Sequence, residues 1–350
     1  MKNVNKMRCI CTVLLFAMLL SGCASKGEEN NEPKGKSYFT YFDTVTYVFS
    51  YAGDSTERFD DRSAEVSALL SSYHKLFDIY HEYADTNNLC TVNKNAGGAP
   101  VEVDPLLIEF LQYAKTLCEQ TDGAMDITLG AVLSIWHDHR EAASDDPENA
   151  SVPELSELEE AAKHTGFDLL EINEEDSTVR LTDPKASIDV GALGKGYATE
   201  MAALMLQADE AYGYVLNVGG NIRTVGTKPD GTKWSTGIRN PKDDATDFAL
   251  RIEVADTACV TSGVYERFFM VDGVRYHHII DPDTLFPATY YDSVTVIAKS
   301  SAIADALSTA LFCLPYDESR ALAEKMGADA VWIFPDGSME YTDAVASMIV

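Results

Sequence analysis

The chain has 350 residues, of which 56 are acidic and 27 are basic, giving a formal net charge of −29. This excess of carboxylates leaves no surplus of lysine and arginine to neutralise phosphates, which argues against a nucleic-acid-binding protein. An anionic nucleotide would have to bind through local cations, a metal ion or backbone N–H groups, because the average surface field repels it.

The N-terminus has the pattern of a lipoprotein signal peptide. Lysine and arginine residues within the first eight positions precede an apolar stretch over residues 9–20, and the string Leu-Ser-Gly-Cys ends at Cys23. Small residues directly before a cysteine are typical of the site that a lipidating peptidase cleaves. We therefore expect removal of residues 1–22, acylation of Cys23, and a lipid-anchored protein on the extracytoplasmic face of the cell membrane. Residues 23–36 are polar and predict a flexible tether.

The remaining residues, 37–350, could form one large domain or two closely joined ones, and we expect a single domain. Four cysteines lie outside the signal peptide and Cys23, and they are far apart in the sequence: Cys90, Cys118, Cys259 and Cys313. They form no C-x-x-C pair, so a zinc site is not predicted and buried free thiols are expected. A disulfide among them stays open, because the expected location is oxidising.

In the first half of this domain, helices dominate. A strand is predicted over Phe39–Tyr51. Apolar residues at helical spacing predict helices over Arg58–Tyr80 and Pro153–His164, and a further helix that begins after an N-cap at Asp104. The acidic stretch Glu141–Asn149 predicts an exposed loop.

In the second half, short strands alternate with tight turns. The predicted strands are Leu169–Ile172, Thr178–Leu181, Tyr214–Val218, Trp234–Ile238, Leu250–Val254, Phe268–Val271 and Ser293–Ala298. The predicted helices are Gly194–Leu206, Ala302–Leu314 and Asp317–Met326. Strands grouped in hairpins with helices between them favour an α+β fold with largely antiparallel sheet.

One glycine-rich segment could bind phosphate. Between Asp189 and Tyr197 the sequence places a carboxylate, three glycines and Lys195 at the start of a predicted helix. Such an arrangement lets backbone N–H groups and a cation approach a phosphate closely. The spacing matches neither a Walker loop nor a Rossmann fingerprint, and a purely structural turn is the alternative.

Two further groups of residues could carry chemistry. His277 and His278 precede Asp281, and they should point to opposite faces of a strand, so at most one histidine faces a site. Asp305 and Thr309 lie one turn apart on a predicted helix, where we expect Asp305 to be exposed. Two hard oxygen ligands suit magnesium, although such a pair is common on ordinary helices.

Taken in order, several motifs make the chain resemble the ApbE family over about Phe39 to Phe334. The motifs are Thr121–Thr128, Asp189–Ala198, Leu216–Gly220, Trp234–Ile238, Thr261–Gly263, His278–Pro282 and Asp305–Thr309. The resemblance implies a T-fold-like α+β architecture, with mainly antiparallel sheets and packed helices, that holds FAD in a cleft.

The resemblance also implies site residues. FAD contacts are expected from Phe42, Tyr80, Ala124, Met125, Asp126, Asp189, Lys195 and Ile279. Magnesium would be held by the Ala192 backbone carbonyl, Asp305 and Thr309, with the FAD pyrophosphate completing its shell. Two positions depart from the family pattern. Met125 stands where many members have Phe, and Leu285 stands where many members have Gly.

From this resemblance we expect a magnesium-dependent FAD:protein FMN transferase. A Thr or Ser hydroxyl of an extracytoplasmic or membrane redox protein would attack the FMN phosphorus of FAD, forming a phosphodiester and releasing AMP. His278 or Asp281 would accept the hydroxyl proton, and a pKa near the working pH favours His278. The alternatives are an FAD pyrophosphatase, in which water is the acceptor, and a non-catalytic flavin-binding lipoprotein.

The lipid anchor can be tested directly. Replacing the modified residue in Cys23→Ala should prevent acylation, so the protein should move from the membrane fraction to the soluble fraction, and its mass should change. Fractionation and intact mass spectrometry measure both effects. A Cys23→Ala protein that stays membrane-bound with an unchanged mature mass would contradict the lipoprotein assignment.

Overall fold

A computed structural model describes residues 32–242 and 248–350. The predicted signal peptide and Cys23 lie outside the described residues. Within the described ranges, no helix combines the length and the apolar character needed to cross a membrane.

The helices of the described residues are α1 Thr56–Phe77, α2 Leu89–Lys94, α3 Pro105–Gln120, α4 Gly130–Asp145, α5 Leu155–Ala162, α6 Gly194–Ala208, α7 Ser301–Phe312, α8 Tyr316–Lys325 and α9 Asp343–Ala346. The strands are β1 Lys34–Tyr41, β2 Thr44–Ser50, β3 Val101–Glu102, β4 Leu170–Asn173, β5 Thr178–Leu181, β6 Tyr214–Val218, β7 Asn221–Val225, β8 Trp234–Arg239, β9 Phe248–Val254, β10 Ala258–Gly263, β11 Phe268–Val271, β12 Val274–His277, β13 Ser293–Ala298, β14 Asp329–Ile333 and β15 Met339–Tyr341.

The main sheet has eight strands in the order β1-β2-β6-β7-β10-β13-β14-β15, and all of its neighbouring strands run antiparallel. Helices α6 and α7 pack against each other, and they lie on β6, β7, β10 and β13 at the centre of this sheet. Smaller antiparallel sheets are formed by β3-β5-β4, β8-β9 and β11-β12. The α+β prediction with mainly antiparallel sheets is therefore confirmed.

A cluster of aromatic side chains packs helices α1, α3 and α6 together. Phe77 of α1 and Phe110 of α3 lie 4.1 Å apart by ring centroids, and Tyr197 of α6 lies 5.1 Å from Phe110. All three side chains are buried in the principal core. Large aromatic side chains bury much apolar area, so this cluster fixes the position of the glycine-rich segment that begins α6.

Several predicted boundaries are wrong. The predicted strand Phe39–Tyr51 is a hairpin, because Phe42 and Asp43 adopt φ values of 52° and 51° and reverse the chain between β1 and β2. Strand β1 already begins at Lys34, so the last residues of the predicted tether belong to the sheet. The predicted loop Glu141–Asn149 begins as helix, because α4 continues to Asp145 and buries Ala143 in a small core cluster.

Other elements were not predicted as strands. Strand β7 follows a tight turn at Gly219 and Gly220, where φ is positive, and pairs with β6. The Thr261-Ser-Gly segment ends β10 and pairs with β13. The prediction that Asp104 caps α3 is confirmed, since its carboxylate accepts a hydrogen bond from the Leu106 N–H at 2.9 Å.

Candidate functional site

The candidate site forms where the first turn of α6 meets α7. The Gly196 N–H donates a hydrogen bond to Asp305 Oδ2 at 2.7 Å. A Cβ atom on residue 196 would lie 2.3 Å from the Asp305 Cβ and 2.5 Å from the Ser301 carbonyl oxygen. Only glycine allows this approach, and the close packing brings the glycine-rich segment against the Asp305 carboxylate.

Asp305 is buried, with 5% of its surface exposed, so the expectation of an exposed helical aspartate is wrong. Burial raises the pKa of its carboxyl, while Lys195 and hydrogen bonds from Gly196 and Asn221 oppose this shift. The reason is tertiary: α7 is covered by α6 on one side and by the sheet on the other. Replacing Asp305 therefore also removes a hydrogen-bond partner from a buried N–H group.

The side chains of Lys195 and Asp189 both hydrogen-bond Gly191, in the loop before α6. Lys195 Nζ donates to the Gly191 carbonyl oxygen at 3.1 Å, and Asp189 Oδ1 accepts from the Gly191 N–H at 2.8 Å. The positive charge of Lys195 lowers the pKa of both Asp305 and His278. Lys195 directly precedes Gly196, whose N–H bonds Asp305, so its backbone lies beside that carboxylate.

The two histidines differ as predicted from their alternation. His277 is buried: its Nε2 donates to the Ala288 carbonyl oxygen at 2.8 Å, and its Nδ1 accepts from the Ile279 N–H at 3.2 Å. His278 is partly exposed, and its Nδ1 lies 3.2 Å from the Arg267 carbonyl oxygen. A carbonyl only accepts, so the proton of neutral His278 is on Nδ1 and a lone pair is left on Nε2. Burial and the charge of Arg267 lower the pKa of His278 to about 3, so the expectation of a pKa near the working pH is wrong.

Asp281 is buried in a turn that follows β12. Its Oδ1 accepts hydrogen bonds from the Asp283 N–H at 2.8 Å and the Thr284 N–H at 3.3 Å. Leu285, four residues on, has a φ of 62°, which glycine adopts without strain and leucine does not. Its side chain packs in a core cluster, and its carbonyl oxygen accepts from Trp136 Nε1 at 2.9 Å. These contacts hold the turn in a shape that suits glycine.

The segment Thr121–Thr128 lies beside the glycine-rich loop, since the Asp189 N–H donates to the Ile127 carbonyl oxygen at 2.8 Å. Asp126 Oδ1 accepts from both the backbone N–H and the hydroxyl of Thr128, at 2.7 and 2.8 Å. Ala124 is partly buried next to the core. Met125 is 1% exposed, and its side chain packs in the core.

Ile279 is likewise buried, with 5% of its surface exposed. The side chains of Met125 and Ile279 therefore belong to the principal core. The backbone of Ile279 is also used within the protein, since its N–H donates to His277 Nδ1 at 3.2 Å and its carbonyl oxygen accepts from the Ala288 N–H at 3.1 Å.

The two aromatic residues from the N-terminal half differ in exposure. Phe42 sits in the β1–β2 turn, and its ring packs edge-on against His74 at 5.6 Å. Tyr80 lies beyond the end of α1, is 52% exposed, and has its ring 5.2 Å from that of His137. Desolvation and the charge of Asp189 raise the pKa of Tyr80.

Two cations near the site were not predicted from the sequence. Arg140 and Arg267 both affect the pKa of Tyr80, and they line a cavity of about 290 Å³ between α4 and the start of β11. Arg267 also holds His278 through its carbonyl oxygen. These arginines lie on α4 and in the loop after β10, outside any motif, so only the fold brings them to the site.

The donor set at the α6–α7 contact fits magnesium. Asp305 and Thr309 are one turn apart on α7, and Ala192 lies just before α6, which would supply a carboxylate, a hydroxyl and a carbonyl oxygen. The side-chain amide of Asn221 hydrogen-bonds Asp305. The Oδ1 atom of Asn221 is buried without a hydrogen-bond partner. Within the described ranges, no cluster of three or more His, Cys, Asp or Glu could hold a metal. A magnesium ion here would need further oxygen ligands from water or a phosphate.

The four cysteines predicted to be free are free in the structure. Cys90, Cys259 and Cys313 are buried and Cys118 is partly buried. No disulfide joins them, which resolves the alternative that the sequence left open.

Comparison with known proteins finds one family along most of the chain. The sequence model of the family described as "ApbE family" matches residues 42–332 of this chain. A protein of Treponema pallidum named FAD:protein FMN transferase is 37% identical over 78% of this chain and 79% of its own length. A Vibrio cholerae protein of the same name is 30% identical over 95% of this chain and 96% of its own length.

Solved structures agree with these matches. The crystal structure of the ApbE protein from Thermotoga maritima superposes with a TM-score of 0.78 at 30% identity, covering 91% of this chain and 99% of that one. The flavin transferase ApbE from Vibrio cholerae superposes with a TM-score of 0.74 at 26% identity, over the same shares of the two chains.

The buried His277 should make the protein sensitive to acid. Burial lowers its folded-state pKa to about 4, below the unfolded value of about 6.5. Between these values the unfolded chain binds a proton that the folded protein does not, so stability should fall as the pH drops from about 6.5 to 4, by up to about 3 kcal/mol.

Urea unfolding of wild type and His277→Gln over this pH range measures the effect. Glutamine can still donate to the Ala288 carbonyl oxygen but does not titrate, so the variant should lose stability less steeply in acid. Parallel curves for the two proteins would contradict this assignment.

Proposed function

This chain belongs to the ApbE family, and on that premise we propose that it transfers the FMN part of FAD to a Thr or Ser hydroxyl of an acceptor protein. The relatives matched over most of their length carry the name FAD:protein FMN transferase. FAD and an acceptor protein are therefore its proposed substrates.

The observation that carries the proposal is the position of Lys195. It directly precedes Gly196, whose N–H bonds the buried Asp305, and its charge lowers the pKa of both Asp305 and His278. A cation, a carboxylate and a neutral imidazole in one place are what phosphoryl transfer to a hydroxyl requires. In a protein of net charge −29, such local positive charge also supports binding of an anionic dinucleotide.

In the proposed reaction, the acceptor hydroxyl oxygen bonds to the FMN phosphorus and the bond from that phosphorus to the bridging oxygen breaks. AMP leaves with the bridging oxygen, and FMN stays on the acceptor as a phosphodiester. The hydroxyl proton would pass to Nε2 of His278, which is unprotonated near pH 7. Because its pKa is about 3, far below the working pH, His278 is a weaker base than the sequence suggested. Asp281 is the weaker candidate for this role, since its Oδ1 is already used by two N–H groups.

Magnesium would be held by Asp305, Thr309 and the Ala192 carbonyl oxygen, with a pyrophosphate oxygen completing its coordination. When bound, it would neutralise charge on the pyrophosphate. Lys195 would bind the same group, the backbone of the 124–126 segment and Asp189 would contact FAD, and Tyr80 and Phe42 would contribute aromatic surface.

We further propose that the enzyme acts outside the cytoplasm while held on the membrane through Cys23. This rests on the sequence pattern of residues 1–23. Its acceptors would then be extracytoplasmic or membrane redox proteins.

One experiment separates the proposed activity from its alternatives. The protein is incubated with FAD and magnesium, with and without an acceptor, and AMP and the acceptor mass are measured. Transfer gives AMP together with one FMN unit on the acceptor. AMP without any gain of mass would indicate an FAD pyrophosphatase instead. Bound FAD without AMP would indicate a flavin-binding protein.

FAD binding should depend on Lys195 and Asp126. Losing a charged hydrogen bond costs about 1.5–3 kcal/mol, so Lys195→Ala and Asp126→Ala should weaken FAD binding about 10- to 100-fold in calorimetry. Lys185, an exposed lysine outside the site, provides the control, and Lys185→Ala should bind FAD like wild type. Unchanged affinity in both site variants would overturn the proposed pocket.

Asp305 should be essential for transfer because it provides the formal negative charge of the metal site. Asp305→Asn keeps an oxygen that can accept from the Gly196 N–H, so it should fold, need more magnesium, and regain part of its activity at high magnesium. Asp305→Ala should lose transfer and also lose about 1–3 kcal/mol of stability, since the buried Gly196 N–H has no acceptor.

The exposed Asp317 in the first turn of α8 is the control for this series, and Asp317→Asn should keep the wild-type rate. Folded Asp305→Asn that transfers FMN at the wild-type rate throughout a magnesium titration would refute the metal assignment.

A further inference from the structure

Helices α6 and α7 and strand β7 are joined by two sets of buried contacts, each centred on a carboxylate. The first set is the one at the candidate site. Asp305 of α7 accepts hydrogen bonds from the Gly196 N–H of α6 and from the side-chain amide of Asn221 on β7.

The second set is centred on Glu200 of α6. Its Oε2 accepts from the Ser301 N–H of α7 at 2.6 Å and from Arg223 Nε of β7 at 3.1 Å. The side chains of Glu200 and Arg223 are 9% and 4% exposed. Each of the three elements therefore contributes one residue to each set.

The residue spacing within each element places both sets of contacts on the same face of that element. Gly196 and Glu200 are four residues apart on α6, as are Ser301 and Asp305 on α7, so each pair lies on one helix face. Asn221 and Arg223 are two residues apart on β7 and point to the same face of the sheet. The two sets are thus one helical turn apart.

Glu200 also supplies a cap that α7 lacks within its own sequence. The first N–H groups of a helix have no partner inside the helix, and the Ser300 side chain makes no capping hydrogen bond. The Glu200 carboxylate accepts from the first of these groups, where the helix dipole also favours negative charge. Arg223 balances the buried charge, and its Nη1 donates to both the Thr224 carbonyl oxygen and Asp256.

We propose that Glu200 is a positioning residue for the metal site. By fixing the start of α7 against α6 and β7, it sets where the Asp305 carboxylate lies one turn later, relative to Ala192 and Lys195. This inference rests on the proposed function, because it assumes that Asp305 is the magnesium ligand. A purely structural role would lower stability without changing metal affinity.

Metal affinity is the deciding measurement. Binding of Mn²⁺, as a probe for magnesium, is measured in the presence of FAD by electron paramagnetic resonance of the free ion. Groups that orient a metal ligand typically change metal affinity by about 10- to 100-fold when they are removed, so Glu200→Ala should weaken Mn²⁺ binding to that extent. Glu200→Gln, which keeps an oxygen for Ser301 but loses the charge opposite Arg223, should show a smaller loss of at least about threefold.

A kinetic readout tests the same point. If Glu200 only positions Asp305, the magnesium concentration for half-maximal transfer should rise in both variants, while the rate at saturating magnesium should return close to that of wild type. A rate that stays low at saturating magnesium, with unchanged Mn²⁺ affinity, would overturn the proposal.

Asp54 provides a matched control for damage to a buried ion pair. Its side chain is 9% exposed and pairs with the buried Arg62 at 3.0 Å. Arg62 also bonds Asp209 at the C-terminal end of α6, at the opposite end of that helix from Gly196. Asp54→Asn should lower the unfolding midpoint and leave Mn²⁺ affinity unchanged. An equal loss of Mn²⁺ affinity in Asp54→Asn would overturn the positioning role, because general destabilisation would explain it.

The variants remain decisive if one of them does not fold. Should Glu200→Ala be unfolded, the near-isosteric Glu200→Gln decides alone, and Mn²⁺ affinity within twofold of wild type overturns the inference. Failure of wild type itself to bind Mn²⁺ with FAD would instead refute the metal site of the proposed function.

Discussion

The close contact between Gly196 and Asp305 is the constraint on which the site depends. The two helices approach so closely there that residue 196 has no room for a side chain. This close approach allows the Gly196 N–H, in the glycine-rich segment, to hydrogen-bond the buried Asp305 carboxylate of α7. The glycine-rich segment and the Asp305 carboxylate, more than a hundred residues apart in sequence, become parts of one candidate site through this contact.

The cations near the candidate site contrast with the negative net charge of the whole chain. Although the chain carries a net charge of −29, Lys195, Arg140 and Arg267 lie around the position where an anionic substrate would bind. Burial, together with the charges of Arg267 and Lys195, keeps His278 neutral. Local positive charge can coexist with a negative net charge, because charges close to a bound group outweigh distant, screened ones.

The sequence itself determined most of the helices and many of the strands, since period and capping are local properties. Asp104, for example, caps α3 as predicted. The motifs, taken in their order along the chain, also identified the family. Prediction failed where the local signal was absent or misleading. The β1–β2 hairpin turns at Phe42 and Asp43 without a glycine, and α4 continues through an acidic stretch because Ala143 packs into a core.

Tertiary structure alone decided burial and long-range partners. Asp305 has the pattern of a surface residue on its helix, and the packing of α6 and the sheet makes it a buried acceptor. Met125 and Ile279 matched a ligand-binding pattern, yet their side chains face the core. Arg267 and Glu200 belong to no motif that suggested a role. Sequence patterns report which face of an element is apolar, whereas the contact of two faces distant in the chain is settled only when the whole core packs.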